Sequence, residues 1–308
     1  MMEDSNPSST SPPSHSQKAR LVIAPSKSSI KEILSNLIIQ SCHSALQQQQ
    51  ESAIFAIALS GGSLPTFLQQ LPQAFAKANI DPQWEKWHVI LADERCVVSS
   101  HVDSNLDAIR THFTNGVGIP ESQIYGIDET LLTSSEDVAT SYQENVVKYL
   151  LGKKKNKSAD DCSGMIDCVL LGFGPDGHTC SLFPNHKLLS EQTRWVASID
   201  DSPKPPSSRI TLTLPFLNQY CRQIIFCGAG ESKRPILQAV FKKVEEGAVV
   251  GAQFSEGAKV VSVELCIPAP YPCGMVRPQG CGDDDSLIWV VDEDAAEEYL
   301  AAGNNVKE

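Results

Sequence analysis

The stretch Ile54-Phe55-Ala56-Ile57-Ala58-Leu59, followed at once by Ser60-Gly61-Gly62-Ser63, sets the fold. An unbroken apolar run of this length reads as a strand, and its lack of polar alternation means that both faces are covered. The glycine turn then leads into a segment that holds Pro65 in its first helical turn, where a missing N–H costs nothing. A doubly covered strand that leaves into a helix is the unit of a parallel α/β sheet.

The same alternation continues outward. Upstream, Arg20–Ala24 reads as a first strand. Residues 27 to about 50 follow with helical spacing at Ile30, Ile33, Leu34, Leu37, Ile38 and Leu46. Downstream, similar apolar runs occur at His88–Ala92, Ile166–Leu171, Trp195–Ile199, Ile224–Cys227 and Leu287–Val291. Helix-like segments come after several of them, at Asn105–Phe113, Ser232–Val244 and Glu293–Leu300. The pattern predicts an α/β fold with a mostly parallel, Rossmann-like sheet covered on both faces. Residues 1–18, rich in Ser, Pro and Asn, read as a disordered tail, and residues 19–303 as one domain. The Lys-rich stretch Gly152–Gly164 reads as a charged surface insertion, and Gln47–Gln50 as a solvated helix end. No repeat of fixed period is present.

Composition narrows the function. The 308 residues are 41% hydrophobic and 20% charged, which supplies a core and excludes wholesale disorder. Lys and Arg number 25 against 37 Asp and Glu, a net charge of −12. That balance argues against nucleic acid or an anionic membrane as partner, and it requires any anionic substrate to find a local basic pocket. No apolar run reaches the roughly 18–20 residues of a membrane span. The ten cysteines form no C-x-x-C pair and no zinc-like spacing, so reduced intracellular thiols are expected. Cys273 and Cys281 are the pair that could bridge a single loop. Met1–Ser16 lacks the apolar centre of a secretory leader. Glu3 and Asp4 also make it unlike a plastid transit peptide, which is longer and poor in acids. The cytosol is the expected location.

In an open parallel sheet, ligands bind beyond the carboxyl ends of the strands. Three loops there carry chemistry. Ser60-Gly61-Gly62-Ser63 can present backbone N–H groups and a helix start to an anion, or can be a plain turn with Ser63 as N-cap. Asp93-Glu94-Arg95 places three charges in succession. Arg95 can face a phosphate or a developing oxyanion with a neighbouring carboxylate fixing it, or all three can form a surface ion-pair cluster. The third loop, Gly172-Phe173-Gly174-Pro175-Asp176-Gly177-His178, matches G-x-G-x-x-G after a strand. Pro175, the carboxylate of Asp176 and the nearby Pro184 weigh against a dinucleotide there, although Asp200 and Asp201 after the next strand keep that reading open. His178, placed at a helix start beside Asp176, is a candidate general base whose neutral imidazole takes a proton from water. Arg209 and Lys233, each able to be an ordinary surface residue, would together with the Ser-Gly-Gly loop supply the basic pocket. No G-x-S-x-G elbow, H-E-x-x-H or His-Cys cluster is present, which leaves water activated by a base as the hydrolytic option.

These segments carry a resemblance. Ser60-Gly61-Gly62-Ser63 with Pro65, Asp93-Glu94-Arg95 with Ser104-Asn105, and Gly174-Pro175-Asp176-Gly177-His178 with Ser181-Leu182-Phe183-Pro184 strongly resemble the 6-phosphogluconolactonase family. Arg209-Ile210-Thr211-Leu212-Thr213 and the Lys233 turn fit in the same order, over about residues 20–300. The resemblance implies a three-layer α/β/α sandwich shared with glucosamine-6-phosphate deaminase. It implies hydrolysis of 6-phosphoglucono-δ-lactone in the oxidative pentose phosphate pathway, with no metal or organic cofactor. Carried over, His178 activates the water, and Arg95 with Asp176 positions substrate and steadies the oxyanion. Ser60, Gly61, Gly62, Ser63, Arg209 and Lys233 hold the phosphate, with Asn105 alongside. The partner is then a phosphosugar lactone, and a monomer is the expectation. The tail and the Asn305–Glu308 terminus resemble the cytosolic plant members. The enlarged loop between Ala269 and Asp285 departs from the pattern. Three rivals stay open: a sugar-phosphate isomerase or deaminase, a sugar-phosphate sensor that has lost catalysis, and the nicotinamide-dinucleotide reading of the third loop.

Overall fold

The structure, a computed structural model, describes residues 18–47, 53–154, 164–242, 249–250, 256–279 and 285–301. The expected tail up to residue 17, most of the Lys-rich insertion and Cys281 lie outside the described residues, so the Cys273–Cys281 pairing does too. Lys18, assigned to the tail by sequence, instead opens the first strand.

Eleven strands are described: β1 (Lys18–Ala24), β2 (Phe55–Leu59), β3 (Trp87–Leu91), β4 (Asp93–Arg95), β5 (Ile166–Gly172), β6 (Val196–Ile199), β7 (Arg209–Leu212), β8 (Cys221–Gly228), β9 (Val249–Val250), β10 (Lys259–Glu264) and β11 (Leu287–Asp292). The large sheet has the order β3-β2-β5-β8-β11-β1-β10-β9. Its strands from β3 to β1 run parallel, and β10 and β9 extend it antiparallel. Every residue of β2, β3 and β11 is buried, as strands covered on both faces require. The helix Lys27–Leu46 turns Ile30, Ile33, Leu34, Leu37 and Ile38 inward, as its spacing predicted. One contiguous apolar cluster runs through strands and covering helices.

The sequence reading is corrected in one respect of topology. Trp195–Ile199, grouped by sequence with the main-sheet strands, lies instead in a separate antiparallel sheet of order β4-β7-β6. Residues 200–208 form the whole β6–β7 connection, closed by Ser202 N–H donating to Ser207 O at 3.2 Å. A connection that short joins antiparallel neighbours, since a parallel pair needs a long crossover. Two helices are also shorter than expected, at Arg234–Val240 and Glu297–Ala301. The second starts late because Asp292 holds the preceding turn, accepting from Ala295 N–H at 3.1 Å and from Gly230 N–H at 2.9 Å. Among the described residues, no helix is long and apolar enough to cross a membrane.

Candidate active site

A cleft of about 460 Å³ opens where β2, β5 and β8 end. Nine of the ten residues expected from the sequence line it: Ser60, Gly61, Gly62, Ser63, Arg95, Asn105, His178, Arg209 and Lys233. The tenth, Asp176, bonds to His178 at its edge.

The Ser-Gly-Gly loop is fixed from both sides. Ser60 N–H donates to Leu170 O at 3.0 Å, continuing the β2–β5 pairing past the strand end. A Cβ on Gly61 would overlap the Asn105 side-chain amide, so glycine is what lets the two segments meet. Asn105 Nδ2 in turn donates to Asp93 O at 2.8 Å. Asp93 and Glu94 have structural tasks. Glu94 is buried, and burial raises its pKa against the opposing pull of backbone N–H groups. It accepts from Asn105 N–H, Leu106 N–H and Arg95 N–H, each at 2.8 Å, and so holds the start of the helix Asn105–His112. Asp93 accepts from Ser60 Oγ at 3.3 Å and from Ser181 Oγ at 2.9 Å.

The segment after β5 forms a tight turn. Gly177 N–H donates to Gly174 O at 3.0 Å, and Gly174 N–H to His178 O at 2.8 Å. The expected helix start at His178 is absent, and so is the helix that a dinucleotide fingerprint needs: residues 173–186 are turns and bridges. Pro175 and Pro184 within the stretch account for this. The His178 ring and the Asp176 carboxylate fold over Gly174, where a Cβ would fall on both. His178 Nδ1 bonds Asp176 Oδ1. The opposite support is Phe183, stacked on the imidazole with centroids 5.1 Å apart and planes at 26°. Burial, more than any charge, lowers the His178 pKa below its ordinary value, and Lys204 adds to this while Asp176 opposes it. With no helix dipole present, burial keeps the ring neutral. Burial works to raise the Asp176 pKa, but the His178 bond and charge and nearby Lys204 outweigh it and bring it to about 2. A carboxylate fixed on Nδ1–H leaves Nε2 as the basic nitrogen.

Five cations line the cleft beside this pair: Lys27, Arg95, Lys204, Arg209 and Lys233. Arg95 Nη1 donates to Asp103 O at 2.5 Å, while its Nε is buried with no hydrogen-bond partner among the described residues. Lys233 Nζ donates to Phe173 O and sits 5.1 Å from the centre of the Phe173 ring. Arg209 is only 3% exposed. It spends Nη2 on Lys204 O at 2.7 Å and Pro205 O at 3.0 Å, and Nε on Pro206 O at 2.8 Å. Burial lowers the pKa of Arg209, helped by the neighbouring charge of Arg95. Lys233 is lowered by burial and then by Lys204. Cations that repel one another in a cleft favour an anion between them. Among the described residues, no group of His, Cys, Asp and Glu is placed to hold a metal ion.

Sequence reasoning missed Lys204, which reaches the His178–Asp176 pair, and Lys27, which lines the cleft. It quoted Ser181 and Phe183 within a motif without giving either a task. The available signal for Lys204 was its setting in Ser202-Pro203-Lys204-Pro205-Pro206, where prolines hold a flexible side chain on a stiff loop.

Comparison with known proteins places the chain in a family and a fold. The sequence model of the family described as glucosamine-6-phosphate isomerases/6-phosphogluconolactonase matches residues 25–261. The 6-phosphogluconolactonase of Homo sapiens is 37% identical over 245 residues, covering 79% of this chain and 80% of the human protein. The probable 6-phosphogluconolactonase 1 of Oryza sativa subsp. japonica is 36% identical over 249 residues, covering 80% of this chain and 74% of the rice protein. Among solved structures, the 6-phosphogluconolactonase from Trypanosoma cruzi has a TM-score of 0.66 at 20% identity, covering 95% of this chain and 99% of its own. A monomeric glucosamine-6-phosphate deaminase of the NagB superfamily has a TM-score of 0.58 at 14% identity, covering 90% and 98%. These last two establish a shared three-layer α/β fold. With a family match across most of its length and relatives above 30% identity along four-fifths of it, the chain belongs to the glucosamine-6-phosphate isomerase/6-phosphogluconolactonase family.

Proposed function

We propose that this chain is a 6-phosphogluconolactonase that hydrolyses 6-phosphoglucono-δ-lactone to 6-phosphogluconate, the lactone-opening step of the oxidative pentose phosphate pathway. The observation that carries the reading is the partly buried His178–Asp176 pair at the edge of a cation-lined cleft. Its relatives at four-fifths coverage bear the lactonase name.

The chemistry follows from the groups present. Asp176 holds Nδ1–H, so His178 Nε2 accepts a proton from water as the water oxygen attacks the lactone carbonyl. The carbonyl oxygen becomes an oxyanion, which the guanidinium of Arg95 stabilises. Collapse of the tetrahedral intermediate breaks the bond from the carbonyl carbon to the ring oxygen. The imidazolium returns its proton to that oxygen, and the neutral base is restored. Backbone N–H groups of Ser60–Ser63 with Lys233 receive the phosphate, and Arg209 adds charge from the wall. A His-activated water suffices, with no metal step. The eight described cysteines carry no disulfide.

The test follows the loss of freshly generated 6-phosphoglucono-δ-lactone in chelator, with wild type beside His178→Ala. Hydrolysis above the spontaneous rate, largely abolished in the variant while 6-phosphogluconate binding stays within a few-fold, is the expected result. Binding of product without acceleration would favour a sensor. Interconversion of amino-sugar or ketose 6-phosphates in place of lactone loss would favour the isomerase side of the family.

A further inference from the structure

The loop between β6 and β7 delivers Lys204 to the base from a different sheet. Lys204 Nζ lies 3.3 Å from Asp176 Oδ2 and 3.1 Å from His178 Nδ1, and 6.0 Å from the centre of the Phe183 ring on which the imidazole stacks. The loop is rigidly held. Arg209 ties down its three successive carbonyls at Lys204, Pro205 and Pro206, and Ser202 Oγ donates to Lys204 O at 2.8 Å while accepting from Lys204 N–H at 3.2 Å. A buried guanidinium used in this way marks the position of Lys204 as specified.

Nδ1 has a single in-plane position for a hydrogen or a lone pair, so Asp176 and Lys204 cannot both hydrogen-bond it. If Nδ1 carries the proton, Asp176 Oδ1 accepts it, Nε2 is the base, and the Lys204 ammonium turns to Asp176 Oδ2. If Lys204 donated to Nδ1, the proton would sit on Nε2 and the base would be lost. We propose that Lys204 is a positioning residue of the hydrolytic site. By pairing with the outer oxygen of Asp176 it locks the inner oxygen on Nδ1–H, and its charge beside the ring opposes a resting imidazolium. The groups that face His178 are Asp176 on its own turn, Lys204 from the β6–β7 loop and Asp93 from β4; Lys233, after β8, faces Lys204 and Asp176. Of the three that act on the ring, only Lys204 disfavours its protonation.

The proposal rests on His178 acting as the base, and its test separates the two ideas. Lys204→Met is compared with Lys204→Arg and Lys204→Gln in lactone turnover across pH. The ring of His178 is read in parallel by 15N NMR of the resting enzyme. Lys204 is half exposed, and equal thermal midpoints would show that the fold survives. In Lys204→Met and Lys204→Gln, kcat is expected to fall about tenfold with KM within about twofold, the loss of a coupled positioning contact. The acid limb of kcat/KM moves to higher pH, because the opposing cation is gone, and Lys204→Arg restores both. The ring signals move from a single Nδ1–H tautomer toward a mixture. A raised KM with kcat and the acid limb unchanged would overturn the proposal and make Lys204 an anion anchor. An unaltered tautomer in Lys204→Met would overturn it too. If wild type does not turn over the lactone, the functional reading fails, and the NMR comparison still decides the role of Lys204.

Discussion

Ser181 Oγ donates to Asp93 Oδ2 at 2.9 Å, joining residues 88 positions apart in the chain. The contact links the turn that carries His178 to β4, the strand that carries Arg95. Ser60 Oγ approaches the other Asp93 oxygen at 3.3 Å, and Arg209 Nη1 reaches Ser181 Oγ at 3.4 Å. One buried carboxylate thus sets the spacing of the phosphate loop, the base and two cations without touching the reacting atoms.

Ser181 is fully buried, so Ser181→Ala leaves Asp93 Oδ2 short of a donor away from water. The expected loss is about 1–3 kcal/mol of stability, the cost of an unsatisfied buried acceptor. Urea unfolding followed by tryptophan fluorescence measures it. A midpoint equal to wild type would mean that this contact does not order the junction.

Gly174→Ala puts a methyl group where the His178 ring and Asp176 carboxylate now lie. The backbone there is not in the left-handed region, so the fold is expected to persist while the pair is displaced. A displacement of about 1 Å costs roughly 100-fold in rate. Steady-state kinetics beside circular dichroism reads both, and a folded variant with full kcat would contradict the placement of the base.

The pH profile has a defined sign. Neutral imidazole is the active form, and burial holds its pKa below the ordinary value of 6.5. Activity is therefore retained through neutral pH and lost as pH falls through that depressed pKa. Asp176 favours the charged ring, so Asp176→Asn moves the acid limb of kcat/KM lower still while reducing kcat. A limb above 6.5 in wild type, or an upward move in the variant, would remove burial as the governing cause.

Far from the cleft, Lys154 Nζ pairs with Asp167 Oδ2 at 2.5 Å near the beginning of β5, and the same oxygen accepts Ala56 N–H at 2.7 Å. Both side chains are largely buried. Lys154→Met strands the carboxylate and is expected to cost about 3–5 kcal/mol. Because the pair sits at the opposite end of the strand from His178, KM for the lactone stays at its wild-type value. Denaturant titration and initial rates on one preparation test both halves.

The parallel core was legible in the sequence because β2, β3, β5 and β11 are buried along nearly all their length, and burial on both faces writes itself as an unbroken apolar run. β6 was legible as a strand but not in its sheet, since a strand of four residues carries no record of its neighbour's direction. The cleft residues announced themselves by following strand ends. Lys204 did not, because a cation in a loop acquires meaning only when the loop folds back on a group 26 residues earlier in sequence. Arg209 was found, yet its bonds to three loop carbonyls could not be read from the letters around it. The helix expected at His178 failed for a local reason, the two prolines that bracket the turn.

The division of the molecule into two sheets has an outcome for how it loses activity. The base, the phosphate loop and Lys233 ride on the large sheet, whereas Arg95, Lys204 and Arg209 ride on the three-stranded one. A three-stranded unit has fewer contacts to break on opening than an eight-stranded one. Mild denaturant or warming should therefore silence the enzyme while Trp87 and Trp289, fully buried on the large sheet, keep their native surroundings. Amide exchange in β6 and β7 would run ahead of that in β2 and β5. The catalytic lifetime of the protein is then set by its smaller sheet.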